Sequence, residues 1–441
     1  MTTLQAQIDL AGGPLPMLRA SSLGGFTPPI PLEHTNWRDE QRAWKNSAVL
    51  FDMSHHMTDV YFEGPDVNRL LSDVCINSFA GFGKNRAKQI VTCNEDGYVI
   101  GDSILFGLEP DRVAIVGTPV VSNWVTFQAE HGGYDVEISR DEATPFNPAG
   151  RRVFRYQLQG PNAVRIVAQA SAGTLPSISF FHIGEFEIAG RPVRALSHTM
   201  SRTTGMEVFG PAEDGPAVLA ELLAAGADFG LAQGGALALP TTALESGWVG
   251  VELPAIYSGE AMRPYREWLT AHTYEAMGSI GGSFKSDNIE DYYVTPWDLG
   301  YGRLIKFDHD FIGRAALERR ADEPHLRQVW LRWNDEDVVS LLASSFFADT
   351  GRAKYLAAPY SVYCSFPFDT ILADDRRVGM SVFTGYSVNV GSWSSLALVD
   401  EALPDGSDVS VVWGDEGSAL VTVEDNTEKV VRATISRKPL V

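Results

Sequence analysis

Cysteine is scarce in this chain: three thiols, Cys75, Cys93 and Cys364, stand in 441 residues, none in a CxxC spacing. So sparse and odd a set excludes a disulfide framework and predicts a reducing, cytoplasmic setting with each thiol buried as a small apolar group. Basic charge is also short, 35 Lys and Arg against 56 Asp and Glu, for a net charge of −21. That balance repels polyanions, so no nucleic-acid partner is expected. No apolar run reaches the roughly 18 residues of a membrane helix. The start, "MTTLQAQIDLAGG", has no basic residue and an Asp inside its apolar part, so neither a membrane partner nor a signal peptide is expected. HExxH, the P-loop and the GxSxG elbow are all missing. In "FDHDF" (307–311), Asp308 and Asp310 flank His309 with no further ligand at a fitting spacing, so no metal site is expected.

What is present is a 44% hydrophobic composition, enough for two or three domains with a substantial core. The first 35 residues carry "AGGPLP" and "TPPIPLEH", which predicts an extended N-terminal segment. Regular structure is expected from Asn36, a helix cap in "NWRDEQRAWKN", and "MTDVYFEG" reads as a strand. An internal echo follows. "YFEGPDVNRLLSDV" (61–74) and "YQLQGPNAVRIVAQ" (156–169) share a strand, a Gly-Pro, an Asp or Asn, and a short helix. Further strands and a second helix follow each, clearest in "GPAVLAELLAAGADFG" and, in the strands, "GMEVFGP". The reading is α+β: two ferredoxin-like halves, roughly 36–150 and 151–325, in one catalytic core. From about residue 326, short alternating runs such as "RQVWLRWN" and "SDVSVVWG" predict an all-β barrel over 326–441. "HDFIGRAALERR" before it reads as a helix starting at Asp310.

Two adjacent histidines, His55 and His56, close a helix-to-strand passage. Read as strand residues they point opposite ways, so at most one enters a given pocket. "GSIGGSF" (278–284) lacks a following helix to hold phosphate and reads as a flexible loop. The residues by themselves describe an enzyme-like α+β protein and no mechanism.

The ordered set "LFDMSHH", "EGPD", "GYVIGD", "LQGP", "GMEVFGPAEDG", "ALESGW" and "TPWDLGYGRLIKFDHDFIGRAAL" resembles the aminomethyltransferase (glycine-cleavage T-protein) superfamily. The longer pieces "LPAIYSGE" and "GGSFKSDNIEDYYVTPWDLGYG" resemble one branch of it. That branch is the tetrahydrofolate-dependent aromatic O-demethylases acting on vanillate, 3-O-methylgallate and syringate. The match runs over nearly all of the chain from about residue 35, and implies a two-halved α+β core with a C-terminal β-barrel. It implies that Glu207 hydrogen-bonds a folate pterin, that Trp248 packs on the folate, and that Met53 stands at a folate-contact position. It places His56 on the substrate side near a phenolic oxygen, with Asp102 and Tyr257 as further catalytic candidates. His55, Thr118, Leu239 and Trp124 fall on the substrate side. Two positions depart from the branch: Leu239 stands where the demethylases have a proton-donating Tyr, and Thr118 where they have a carboxylate-gripping Arg. Tyr257 or Tyr293 is the expected replacement for the lost acid.

These departures favour a changed reaction on the same substrate class. The preferred expectation is a formaldehyde lyase needing no cofactor. His56 would act as base, and a phenolic lignin dimer would lose its CH₂OH carbon to leave a stilbene. The alternative is the branch reaction, transfer of an aryl methyl to tetrahydrofolate. A third is a folate-binding relic without turnover. The expected partner is a small aromatic molecule, and a homo-oligomer stays open.

Overall fold

The computed structural model describes residues 2–25, 27–250 and 252–441. Two antiparallel-rich sheets pack inner face to inner face, and a closed barrel sits beside them. The first sheet has the order Ala87–Cys93, Val99–Glu109, Arg112–Gly117, Thr58–Glu63, Glu137–Asp141. The second runs Leu231–Gly234, Ala48–Asp52, Val153–Gln159, Thr203–Pro211, Arg191–Met200, Ile183–Ile188.

The internal echo is a repeated topology. Strand Thr58–Glu63, helix Val67–Val74, three antiparallel strands, helix Pro119–His131 and strand Glu137–Asp141 make one unit. Strand Val153–Gln159, helix Ala163–Ala170, three strands, helix Gly215–Gly226 and strand Leu231–Gly234 repeat it. The shared glycine has a physical cause. Gly64 and Gly160 have φ of +148° and +126°, and a Cβ there would lie 2.4 Å from Asp135 O and 2.6 Å from Ser47 O.

The units are not contiguous halves of the chain. Strand Ala48–Asp52 inserts into the second sheet, antiparallel to Val153–Gln159 and parallel to Leu231–Gly234. The division at residue 150 is therefore corrected: helix Trp37–Asn46 and its strand, early in sequence, build the later sheet. As read, Asn36 caps that helix, accepting from the Asp39 amide at 3.0 Å.

The N-terminal segment is also corrected, because it holds two helices, Leu4–Ala11 and Pro14–Arg19. Its Met1 and Phe26 lie outside the described residues. Thr3 caps the first helix, Gly12 ends it at φ +78°, and Pro14 starts the second. The glycines and proline thus punctuate two helices whose Leu4 and Leu18 are fully buried.

Outer faces of the sheets are apolar and covered by helices: Phe62 with Leu70 and Val125 on the first, Leu158 with Ile166 and Leu222 on the second. The inner faces meet through Tyr61, Phe106 and Val116 against Leu196 and Phe209.

Strand Leu326–Trp333 pairs with both Ser392–Asp400 and Lys429–Ser436, closing the six-stranded barrel. Its segment also carries a helix, Asp335–Phe347, capped by Asn334, which the alternating pattern did not reveal. A further reading is corrected. The helix after "HDFIG" starts at Arg314, behind Gly313 at φ +90°, so Asp310 lies in the preceding loop.

Candidate active site

Alternation along Val153–Gln159 places Phe154, Tyr156 and Leu158 in the helix-covered core. It turns Arg155, Gln157 and Gln159, all buried, toward the other sheet. Glu207 stands directly opposite Gln157 on the neighbouring strand. Arg155 Nη1 donates to Glu207 Oε1 at 2.6 Å, and its Nε donates to Asp59 Oδ1 of the first sheet at 3.1 Å. Arg151 also donates to Asp59. The guanidinium of Arg155 lies 4.8 Å from the Phe106 ring and 5.0 Å from Phe209. A buried cation between two carboxylates thus joins the two inner faces. His198 Nε2 lies 3.7 Å from Glu207 Oε2, and burial pulls its pKa down.

On the first sheet, Asp102 points to the same interior. Asp102 Oδ2 accepts from Gln89 Nε2 at 2.7 Å and from Trp248 Nε1 at 3.3 Å. The Tyr301 phenol shares this hydrogen-bond group. Burial raises the Asp102 carboxyl to about 6, against those hydrogen bonds. Glu252 accepts from the Asp102 amide, and burial, then the Asp102 charge, raise its carboxyl well above the usual range. Trp248 remains 48% exposed, its indole folded back over Gly250, where a Cβ would lie 2.6 Å from the ring. That close approach requires glycine two residues after the tryptophan.

The expected residues separate into groups. Asp102 and Trp248 come together by direct contact. Glu207 faces inward from the opposite sheet. Met53 and Leu239 share one apolar cluster with Trp37, Trp44 and Phe51. His55 and His56 lie in a turn, which corrects the strand reading. His55 Nδ1 meets Thr144 Oγ1 at 2.9 Å, and Nε2 lies 3.5 Å from Asp52, whose hydrogen bond raises the imidazole pKa. Burial lowers His56 to about 4, so its ring is neutral near pH 7 and weakly basic.

Three candidates join none of these groups. Thr118 is exposed at the start of helix Pro119–His131. Trp124 is a core residue packed edge-on to Tyr265 at 5.0 Å. Tyr257 donates its phenol to the Glu275 carbonyl at 2.9 Å, while Tyr293 Oη accepts from the Tyr257 amide at 2.9 Å. Tyr257 thus gives its phenol proton to a backbone carbonyl, whereas the Tyr293 oxygen accepts from the Tyr257 and Ser258 amides at 2.9 and 3.1 Å. Arg155, Gln89, Glu252 and Tyr301 were missed. A charged residue inside the strand pattern "VFRYQLQ" signalled Arg155, and Tyr301 lies in "TPWDLGYG"; Gln89 and Glu252 gave no signal.

The two inner faces suit a flat, polar-edged heterocycle. Asp102 Oδ1 is a buried acceptor and Gln159 Nε2 a buried donor, each without a protein hydrogen-bond partner among the described residues. A reduced pterin carries both donors and acceptors on its rim, so the donor set fits it.

Residues 22–253 match the GCVT N-terminal domain family. The chain is 42% identical to the syringate O-demethylase of Sphingobium sp. over 99% of this chain and 96% of that protein. It is 28% identical to the sesamin methylene transferase of Sinomonas sp. over 93% and 90%. The structure of the glycine cleavage system aminomethyltransferase T from Bartonella henselae superimposes with a TM-score of 0.63. That match covers 100% of this chain and 98% of the other at 16% identity, a likeness of fold. The chain belongs to the aminomethyltransferase superfamily, on the branch that includes syringate O-demethylase.

Proposed function

We propose that the protein is an O-demethylase that moves the methyl of a methoxylated phenolic compound to tetrahydrofolate. The observation that carries this reading is the pairing of opposed inner faces, Glu207 fixed by Arg155 on one and Asp102 with Trp248 on the other. Glu207 offers a carboxylate to adjacent N–H donors, and Trp248 offers a half-exposed indole face to a flat ring. Bound tetrahydrofolate supplies the nucleophilic amine. His56, neutral at working pH, serves as a hydrogen-bond partner for a phenolic oxygen, and Met53 and Leu239 contribute apolar surface.

The relatives support methyl transfer over the formaldehyde lyase that the sequence departures favoured. A lyase also needs a competent base, and burial has weakened His56 in that role. The test is incubation of purified protein with methoxyphenols, syringate among them, and with hydroxymethyl-bearing phenolic dimers, each with and without tetrahydrofolate. Methyl-tetrahydrofolate formed in equal amount to the demethylated phenol is the expected result. Formaldehyde released from a dimer without tetrahydrofolate overturns the proposal and restores the lyase.

A further inference from the structure

Helix Asp335–Phe347 packs on the barrel with one face and leaves the opposite face bare. Val338 and Leu341 join the barrel's core beside Leu331 and Trp333. On the other side Val339, Ala343, Phe346 and Phe347 follow one another at helical spacing, and all four face solvent. Val339 is 65%, Phe346 55% and Phe347 83% exposed. Tyr355, also exposed, extends the stripe: it lies edge-on to Phe346 with ring centroids 5.4 Å apart. A helix apolar on both faces is normally a buried helix, yet no segment among the described residues covers this one.

The two ends of the stripe differ in charge. Asp335 and Glu336 stand exposed at the N-terminal end. The Glu336 carboxylate meets Arg432 at 3.6 Å, but that guanidinium is already engaged by Asp337 at 2.8 and 2.9 Å. At the other end Arg352 is exposed and tied back to the helix, its Nε donating to the Ala348 carbonyl at 2.7 Å. A patch acidic at one end and basic at the other complements itself when turned about a two-fold axis. In an antiparallel pairing centred on Ala343, Val339 falls against the partner's Phe347, and Glu336 falls near the partner's Arg352. The residue on the axis is the smallest of the stripe, so the helix axes can approach to about 8–10 Å. Asp335, Glu336 and Asp349 rim the patch, and such a rim repels the anionic surface of a membrane.

We propose that this face is a two-fold interface with a second copy of the chain, so that the protein is a homodimer joined through its barrels. The interface uses none of the residues of the candidate active site and does not depend on which reaction the core performs.

Sedimentation velocity of the full chain over a range of concentrations tests it. Wild type should dimerise below about 100 μM. Phe347→Glu alters a solvent-facing side chain, so it should keep the melting temperature and weaken the dimer by at least about tenfold. A wild type that stays monomeric, or a dimer that Phe347→Glu leaves intact, overturns the proposal. Charge reversal tests the pairing itself. Glu336→Arg alone, or Arg352→Glu alone, sets like charges against each other at both ends, so each variant should associate about tenfold more weakly than wild type. An equimolar mixture of the two should regain association as a heterodimer, and the variant carrying both changes should regain it alone. A mixture no tighter than either variant overturns the proposal. So does a monomeric wild type that binds phosphatidylcholine vesicles while Phe347→Glu does not, which would give the face to a lipid surface.

Discussion

Asp102 is a carboxyl held against its own preference. Its folded pKa is about 6, whereas an unfolded Asp titrates near about 3.9. Between those values the folded protein keeps a proton that the unfolded chain has lost. Stability from this group is therefore complete below pH about 4 and is lost as the pH rises through about 6. Asp102→Asn abolishes the titration and keeps one acceptor for Gln89. Relative to wild type, the variant should gain stability between pH 4.5 and 7.5, by at most roughly 3 kcal/mol at about 1.4 kcal/mol per pKa unit. Calorimetry at the two pH values checks it; a difference independent of pH would contradict it. His56 behaves in the opposite sense on the acid side. Its imidazole is lowered to about 4 in the fold, against about 6.5 unfolded. The unfolded chain thus binds a proton first, and stability falls as the pH drops through 6.5 toward 4. His56→Gln should lose less stability than wild type between pH 7 and pH 5, and equal urea midpoint shifts in the two proteins would count against a buried neutral ring.

Among the elements, the N-terminal helices show where a sequence reading by composition breaks down. Gly12, Gly13 and Pro14 are loop-formers by type, yet here they end one helix and start the next, leaving apolar Leu4, Ile8, Leu15 and Leu18 to dock on the core. Arg19 Nη2 donates to Tyr292 Oη at 2.7 Å and Arg266 Nε to Gln5 Oε1 at 2.6 Å, so the segment is fastened at both helices. Leu18→Ala should cost about 2–5 kcal/mol, whereas Leu10→Ala, 89% exposed, should stay within about 0.5 kcal/mol. Urea denaturation of both variants tests this, and similar small losses would show that the helices do not contribute to the fold. The echo around Gly64 and Gly160 was legible because backbone geometry dictates the residue there. The insertion of Ala48–Asp52 into the far sheet was not, because strand pairing over a hundred residues leaves no local trace. The site divides likewise: Glu207 and Trp248 stood inside motifs, while Gln89 meets Asp102 only through strand register.

At the scale of the whole molecule, Glu245 links the core to the barrel. Its carboxylate, 2% exposed, accepts from Trp44 Nε1 at 2.7 Å and from Ser387 Oγ and Asn389 Nδ2 at 2.5 and 3.0 Å. Trp44 belongs to helix Trp37–Asn46, Glu245 to helix Thr242–Ser246, and Ser387 and Asn389 to the barrel. Gln41 repeats the link, donating to Thr241 Oγ1 and Tyr386 O at 3.0 Å each and accepting from the Val388 amide at 2.7 Å. The first half of "LESGW" is thus a structural clamp, and only its tryptophan reaches the site. Glu245→Ala strands three donors in a buried place, each unsatisfied group costing about 1–3 kcal/mol. The summed loss should exceed about 3 kcal/mol, with Glu245→Gln losing less because one acceptor remains. Trp44→Phe removes the indole donor alone. A double-mutant cycle of Glu245→Ala with Trp44→Phe should therefore be non-additive by about 0.5–3 kcal/mol, because the second change removes a donor the first had already orphaned. Additive losses would mean that the barrel is held by apolar packing, chiefly Trp330 against the core. In that case Glu245→Ala should melt in one transition, whereas a clamp that fails should let barrel and core unfold at separate temperatures.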